Sequence, residues 1–159
     1  MGIDGMAGLA KRIGQLATDT KKVEAPLRAA GAIVVASITK NFQAQGRPEK
    51  WKPLSPITLA MRKKGPKGKG GGRSSQILID SADLRNSIGY RVVTGPGVEI
   101  GTNKKYARRQ HFGYPGDPKA PLFSGHRPTP ARPFMMIQPE DFPKIDRIFV
   151  KHISGGKVI

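Results

Sequence analysis

The sequence predicts an α+β fold in which a long N-terminal helix and a C-terminal helix pack on a small, mostly antiparallel sheet carrying long basic loops. Apolar residues recur at helical spacing over 20–42 and again over 142–153. A turn signal at 94–97 separates two short runs with strand character. Gly and Pro, 20 and 14 of the 159 residues, gather between these elements together with most of the positive charge. A chain of this length can bury roughly 70% of its unfolded surface, so the expectation is one domain over 1–159 with a flexible basic loop at 63–76.

Along the chain, Ile3, Met6, Leu9, Ile13 and Leu16 fall on one helical face and predict a first helix. Thr18, Asp19 and Thr20 interrupt it and offer cap oxygens to a second helix over about 20–42, with Val23, Leu27, Ala30, Val34, Ile38 and Phe42 as its stripe. Pro26 is tolerated in the first turns, and Gly46 and Pro48 end the helix. Residues 43–76 show no sustained period. Within them 58–62 is allotted one helical turn, and the Gly–Lys run that follows reads as mobile.

Order returns at Ile77, Leu78 and Ile79, then a short turn or helix over 81–87 in which Asp80 and Ser81 cap the turn into Leu84. Residues 88–93 read as a strand with Tyr90 and Val92 on one side, and 98–101 as its return. A short helix over 106–112 and a proline-rich excursion over 115–130 come next. Residues 132–137 are expected to rejoin the sheet at an edge, because Pro133 has no amide donor. Phe142, Ile145, Ile148, Phe149 and Ile153 predict an amphipathic C-terminal helix, with Glu140 and Asp141 at its positive end. Phe42, Phe112, Phe142 and Phe149 are assigned to the core, as are Phe134, Met135 and Met136. Gly101 and Gly113 are read as turn positions that need backbone freedom.

The net charge of +17 is concentrated. Residues 47–73 hold nine Lys/Arg against Glu49 alone, and 104–132 hold seven against Asp117 alone, so these stretches supply +14 of the excess. Loops so charged favour anionic partners, either nucleic acid or an acidic protein face. The absence of cysteine excludes disulfides, thiolate metal sites and thiol nucleophiles. No apolar run approaches the ~20 residues of a membrane span, and the charged N-terminus does not resemble a signal peptide, so a soluble, cytosolically made chain is expected.

Little catalytic equipment is visible. His111, His126 and His152 stand apart, with no metal-ligand spacing between them. His111 beside Arg108 and Arg109 invites a nuclease reading, but acid–base cleavage needs a second positioned group and metal-dependent cleavage needs clustered carboxylates. The Gly-rich run at 65–72 lacks the spacing of a phosphate-binding loop. It serves equally as a solvated tether or as a basic arm that orders on an anion. Tyr90 and Tyr106 are the only aromatic candidates for base stacking near the strands.

The order of certain residues resembles the phage virion morphogenesis, or tail-completion, family of Mu-like and related contractile-tailed phages and prophages. Phe42, Gly46, Trp51, Leu54, Thr58 and Arg62 open the match, and Leu78, Leu84, Ser87 and Ile88 continue it. Ile100-Gly101-Thr102, Tyr106-Ala107, His111-Phe112-Gly113 and Ala131-Arg132-Pro133-Phe134 complete it. The chain departs at 80–83, where the family usually has a Thr-Gly turn. The resemblance implies a structural, non-enzymatic virion protein without cofactor. It would complete the tail or join it to the head, with similar proteins forming rings.

The expected contacts with other tail or neck proteins, or between subunits, are Trp51, Arg62, Lys63, Lys64, Lys67, Lys69, Arg73, Arg108, Arg109, Arg127, Arg132 and Phe134. Trp51 serves equally well as an interface anchor or as a plug over the core. Phage DNA is the other partner to expect, and a nucleic-acid-binding protein using the same loops on phosphates is the alternative function.

Overall fold

The computed structural model describes residues 20–65, 74–93, 97–121 and 125–154. The helix expected over the first residues, the Gly–Lys run and the 94–97 turn tip fall wholly or mostly outside them. The fold is α+β: helices α1 (Thr20–Gln43), α2 (Pro56–Lys64), α3 (Asp83–Asn86), α4 (Ala107–Phe112) and α5 (Phe142–Ile153), with strands β1 (Ile88–Val93) and β2 (Gly97–Thr102) in a two-stranded antiparallel sheet. A 3₁₀ turn, Pro139–Asp141, precedes α5. The chain divides into two compact units. The first holds α1 up to Ala36, Gly89–Gly101 and the residues from Pro139; the second is Ser37–Ile88 and Thr102–Gln138.

In the first unit, α1 buries Leu27, Ala30 and Val34 at the three- and four-residue steps anticipated. Gly31 lies on the same helix against Tyr90, and a Cβ built there would come 2.5 Å from the ring carbon Cδ2. A mid-helix glycine costs about 1 kcal/mol relative to alanine, and here it makes room for the aromatic ring of β1. Across the hairpin Arg91 pairs with Glu99 at 2.6 Å. No residue of α5 is buried, although its apolar stripe is the one anticipated. Phe142, assigned to the core, is 55% exposed.

The second unit has a denser core. Ile38 and Phe42, from the end of α1, are joined by Trp51, Ile79, Leu84 and Phe134. Phe42 stands between Trp51 (centroids 5.6 Å apart, edge-on) and Phe134 (5.4 Å). The chain leaves α1 through Gly46, whose φ of 113° and Cβ direction, 2.4 Å from Glu49 O, admit only glycine without displacement.

Helix α2 runs longer than the single turn expected. Ser55 caps it, its Oγ accepting from the Thr58 amide at 3.2 Å, and Pro56 fits the first turn. The 58–62 window underestimates it because the lysines that make 63–64 look loop-like extend the last turn favourably. Asp80 and Ser81 do not cap α3. That position belongs to Ala82, in the left-handed region (φ 63°) with no side-chain cap bond, while Asp80 Oδ1 lies 3.6 Å from Arg62 Nε.

Residues 132–137 are not a strand. Their backbone groups bond to side chains instead of a ladder: Asn41 Nδ2 donates to Phe134 O and Met136 O, Trp51 Nε1 to Pro133 O, and the Phe134 and Met135 amides donate to His111 Nδ1. Met136 is exposed, and Phe112 is 71% exposed at the end of α4, against the core assignments. Gly113 is a left-handed turn position (φ 79°) whose Cβ would meet Ala131 N at 2.8 Å. Gly101 lies inside β2 with open space where a Cβ would stand, so its turn assignment fails.

Candidate docking surface

The frame of the second unit is a buried polar junction. Asn41, fully buried, donates to the 134 and 136 carbonyls, and its Oδ1 accepts from Arg47 Nε at 2.8 Å and Gln138 Nε2 at 3.3 Å. Arg47 Nη2 also binds Ser37 O and Oγ. Gln45 clasps residue 77 from both sides, accepting from its amide and donating to its carbonyl. None of Asn41, Gln45 or Gln138 stands out in the sequence, because their partners lie up to 97 residues away.

On this frame, a groove of about 560 Å³ runs between the start of α2, the 80–84 turn, Tyr106 and Gln110, and the 128–132 segment. Two of the expected contact residues meet in it. Arg62 is held by Nη1 bonds to Ser74 O (2.7 Å) and Gln76 O (2.8 Å). Arg132, 6% exposed, donates to Lys52 O and Pro53 O. Burial, and then the neighbouring Arg62 charge, lower the pKa of Arg132. Burial, and then Asp83, raise that of Tyr106, so its phenol keeps its proton and can donate.

Arg109 folds the proline-rich excursion. Its guanidinium donates to Thr129 Oγ1 (2.9 Å), Arg127 O (2.6 Å) and Gly125 O, and lies 4.4 Å from the Tyr114 ring centroid. Paired backbone bonds between Tyr114 and Thr129, both 2.8 Å, close the same loop. Arg127 makes a long bond to Ala120 O at 3.5 Å.

The other expected contacts separate clearly. Trp51 and Phe134 are buried, so Trp51 takes the plug reading. Lys63, Lys64 and Arg108 are exposed. Lys67, Lys69 and Arg73 lie outside the described residues. A second hollow, about 490 Å³, unites Lys104, Lys105 and Arg108 with Phe112, His111 and Met135. Of these, all but Arg108 are additions to the expected surface, and the sequence signal for them is an aromatic residue beside a basic run. Burial lowers the pKa of His111, consistent with a neutral ring whose Nδ1 accepts two amides.

Among the described residues no group of three or more His, Asp or Glu is placed to hold a metal ion, and no helix is long and apolar enough to cross a membrane. No curated protein and no solved structure matches the chain. The sequence pattern of the phage virion morphogenesis family matches residues 5–154. The chain therefore belongs to the phage virion morphogenesis family, which gives it a structural or assembly role in the virion beside other phage structural proteins.

Proposed function

We propose that this protein completes the phage tail or joins it to the head, acting as a neck or tail-completion assembly factor that closes into a homo-oligomeric ring. The observation that carries the reading is α5: twelve residues with a strong apolar stripe and none buried. Phe142 and Val150 are exposed, and Ile145, Ile148 and Phe149 are only half-buried. Such a stripe in an assembly protein calls for a neighbouring subunit or virion protein. The exposed Lys63, Lys64, Lys105 and Arg108, with Lys104 half-buried beside them, add a basic docking surface for acidic virion partners.

The reading is tested in phage lacking the chain. Electron microscopy is expected to show separate heads and unfinished or unjoined tails, with joined infectious particles restored by supplying the protein. Intact infectious particles without it overturn the reading. Light scattering at moderate salt after nuclease treatment should give a discrete ring-sized mass at high concentration.

A second reading, nucleic-acid binding through the same loops, draws on the exposed lysines. Assembly only on added DNA would favour it.

A further inference from the structure

Phe112, at 71%, and Phe142, at 55%, are the most exposed large apolar side chains among the described residues. Each stands four residues from an exposed charge on its own helix, about 6 Å along the axis and on the same face. On α4 the pair is Arg108 and Phe112. On α5 it is Phe142 and Asp146, with the exposed Val150 one turn further on. Their surroundings differ in form and in sign. Phe112 borders the 490 Å³ hollow, which has Met135 in its apolar wall, Lys104, Lys105 and Arg108 as its cations, and no acid among its lining residues. The α5 row is a ridge of two apolar side chains with a carboxylate between them. Asp146, Lys105 and Arg108 have no ion-pair partner among the described residues.

We propose that the α5 row of one copy seats in this hollow on the next copy, α5 running antiparallel to the α4 it meets. Phe142 then covers Phe112, and Asp146 lies between Lys105 and Arg108. The inference rests on the ring reading above and names the contact that repeats around it. A ring of more than two subunits needs two different surfaces on each copy, each complementary to the other. These two are complementary in shape and in charge. The charges also fix the direction, because a parallel arrangement would set Asp146 against the Phe112 ring and Phe142 against Arg108. A nucleic-acid strand could stack a base on Phe112 and place phosphates on the cations, but it would leave the α5 row uncovered. A second copy covers both rows in one contact.

The test is light scattering of the full chain over a concentration series, at moderate salt after nuclease treatment. Phe112→Ser and Phe142→Ser alter exposed side chains and are expected to melt as the parent does. Each alone should weaken self-association on the order of tenfold. Mixed, the two variants keep one complete contact, the α5 row of Phe112→Ser in the hollow of Phe142→Ser. At concentrations where neither associates alone, the mixture should therefore stop at two chains. Arg108→Glu and Asp146→Arg should each weaken assembly as well, and the two in one chain should recover part of it.

A parent chain that stays monomeric throughout, undiminished assembly of Phe112→Ser, growth of the mixture beyond two chains, or no recovery in the charge-exchanged chain overturns the proposal. Undiminished assembly of Phe112→Ser together with lost binding to a thymidine oligonucleotide would give the hollow to nucleic acid instead. In phage lacking the chain, Phe112→Ser restoring joined particles as fully as the parent would remove this contact and leave the assembly reading standing. Intact particles with no protein supplied would remove that reading itself.

Discussion

Around the end of α1, Phe42 and Phe134 are sealed from solvent and Asn41 ties Arg47 to the 134–138 stretch, whereas α5 presents Phe142, Ile145, Ile148, Phe149 and Val150 without burying one of them. Both regions look alike as sequence, each a stripe at helical spacing. The difference lies in what meets the stripe. The α1 end is met by Trp51 and Phe134 and by hydrogen bonds to residues 134–138 of its own unit, while the apolar side of α5 is only partly covered. The first region therefore sets stability, and the second is available for association.

The largest effect should come from Phe134→Ala, expected to cost about 3–5 kcal/mol by emptying the site between Phe42 and His111, as read from chemical unfolding. Asn41→Leu follows, at about 3 kcal/mol, because it removes the donor to the 134 and 136 carbonyls and the acceptor of Arg47 Nε and Gln138 Nε2 in a buried site. A cost below about 1 kcal/mol for either would break the contrast.

His111 sharpens it through pH. Its folded pKa lies below the ordinary 6.5, so in the interval between the two values the unfolded chain binds more protons. Stability should be at its full value above the ordinary pKa and decline as pH falls through 6.5 toward the folded value. The decline should be flattened in His111→Gln, measured as melting temperature across a pH series.

The smallest effect on folding is expected at α5. Phe142→Ser should change stability by no more than about 0.5 kcal/mol while lowering the mass seen by light scattering at high concentration. A loss matching that of Phe134→Ala would place Phe142 in the stability-determining class and erase the contrast.

The stripe from Leu27 to Phe42, the two strands and α5 were legible because each is a local period. The 132–137 segment was not. Its alternation resembles a strand, yet its amides and carbonyls are claimed by His111, Trp51 and Asn41, whose proximity no local pattern records. Hydrophobicity also could not tell Phe42 from Phe112 or Phe142, since burial by the chain itself and coverage by a partner demand the same side chain. Of the candidate site, the pairing of Arg62 with Arg132 emerged only once residues 70 positions apart shared one groove.

The arginines have one more consequence. Arg47, Arg62, Arg109 and Arg132 are fastened to carbonyl oxygens of their own chain, while Lys52, Lys63, Lys64 and Lys105 are exposed to solvent. Only cations that reach a phosphate release its condensed counterions. The salt dependence of any binding to DNA would therefore be governed by the lysines and Arg108, and its slope would fall well short of what a net charge of +17 suggests.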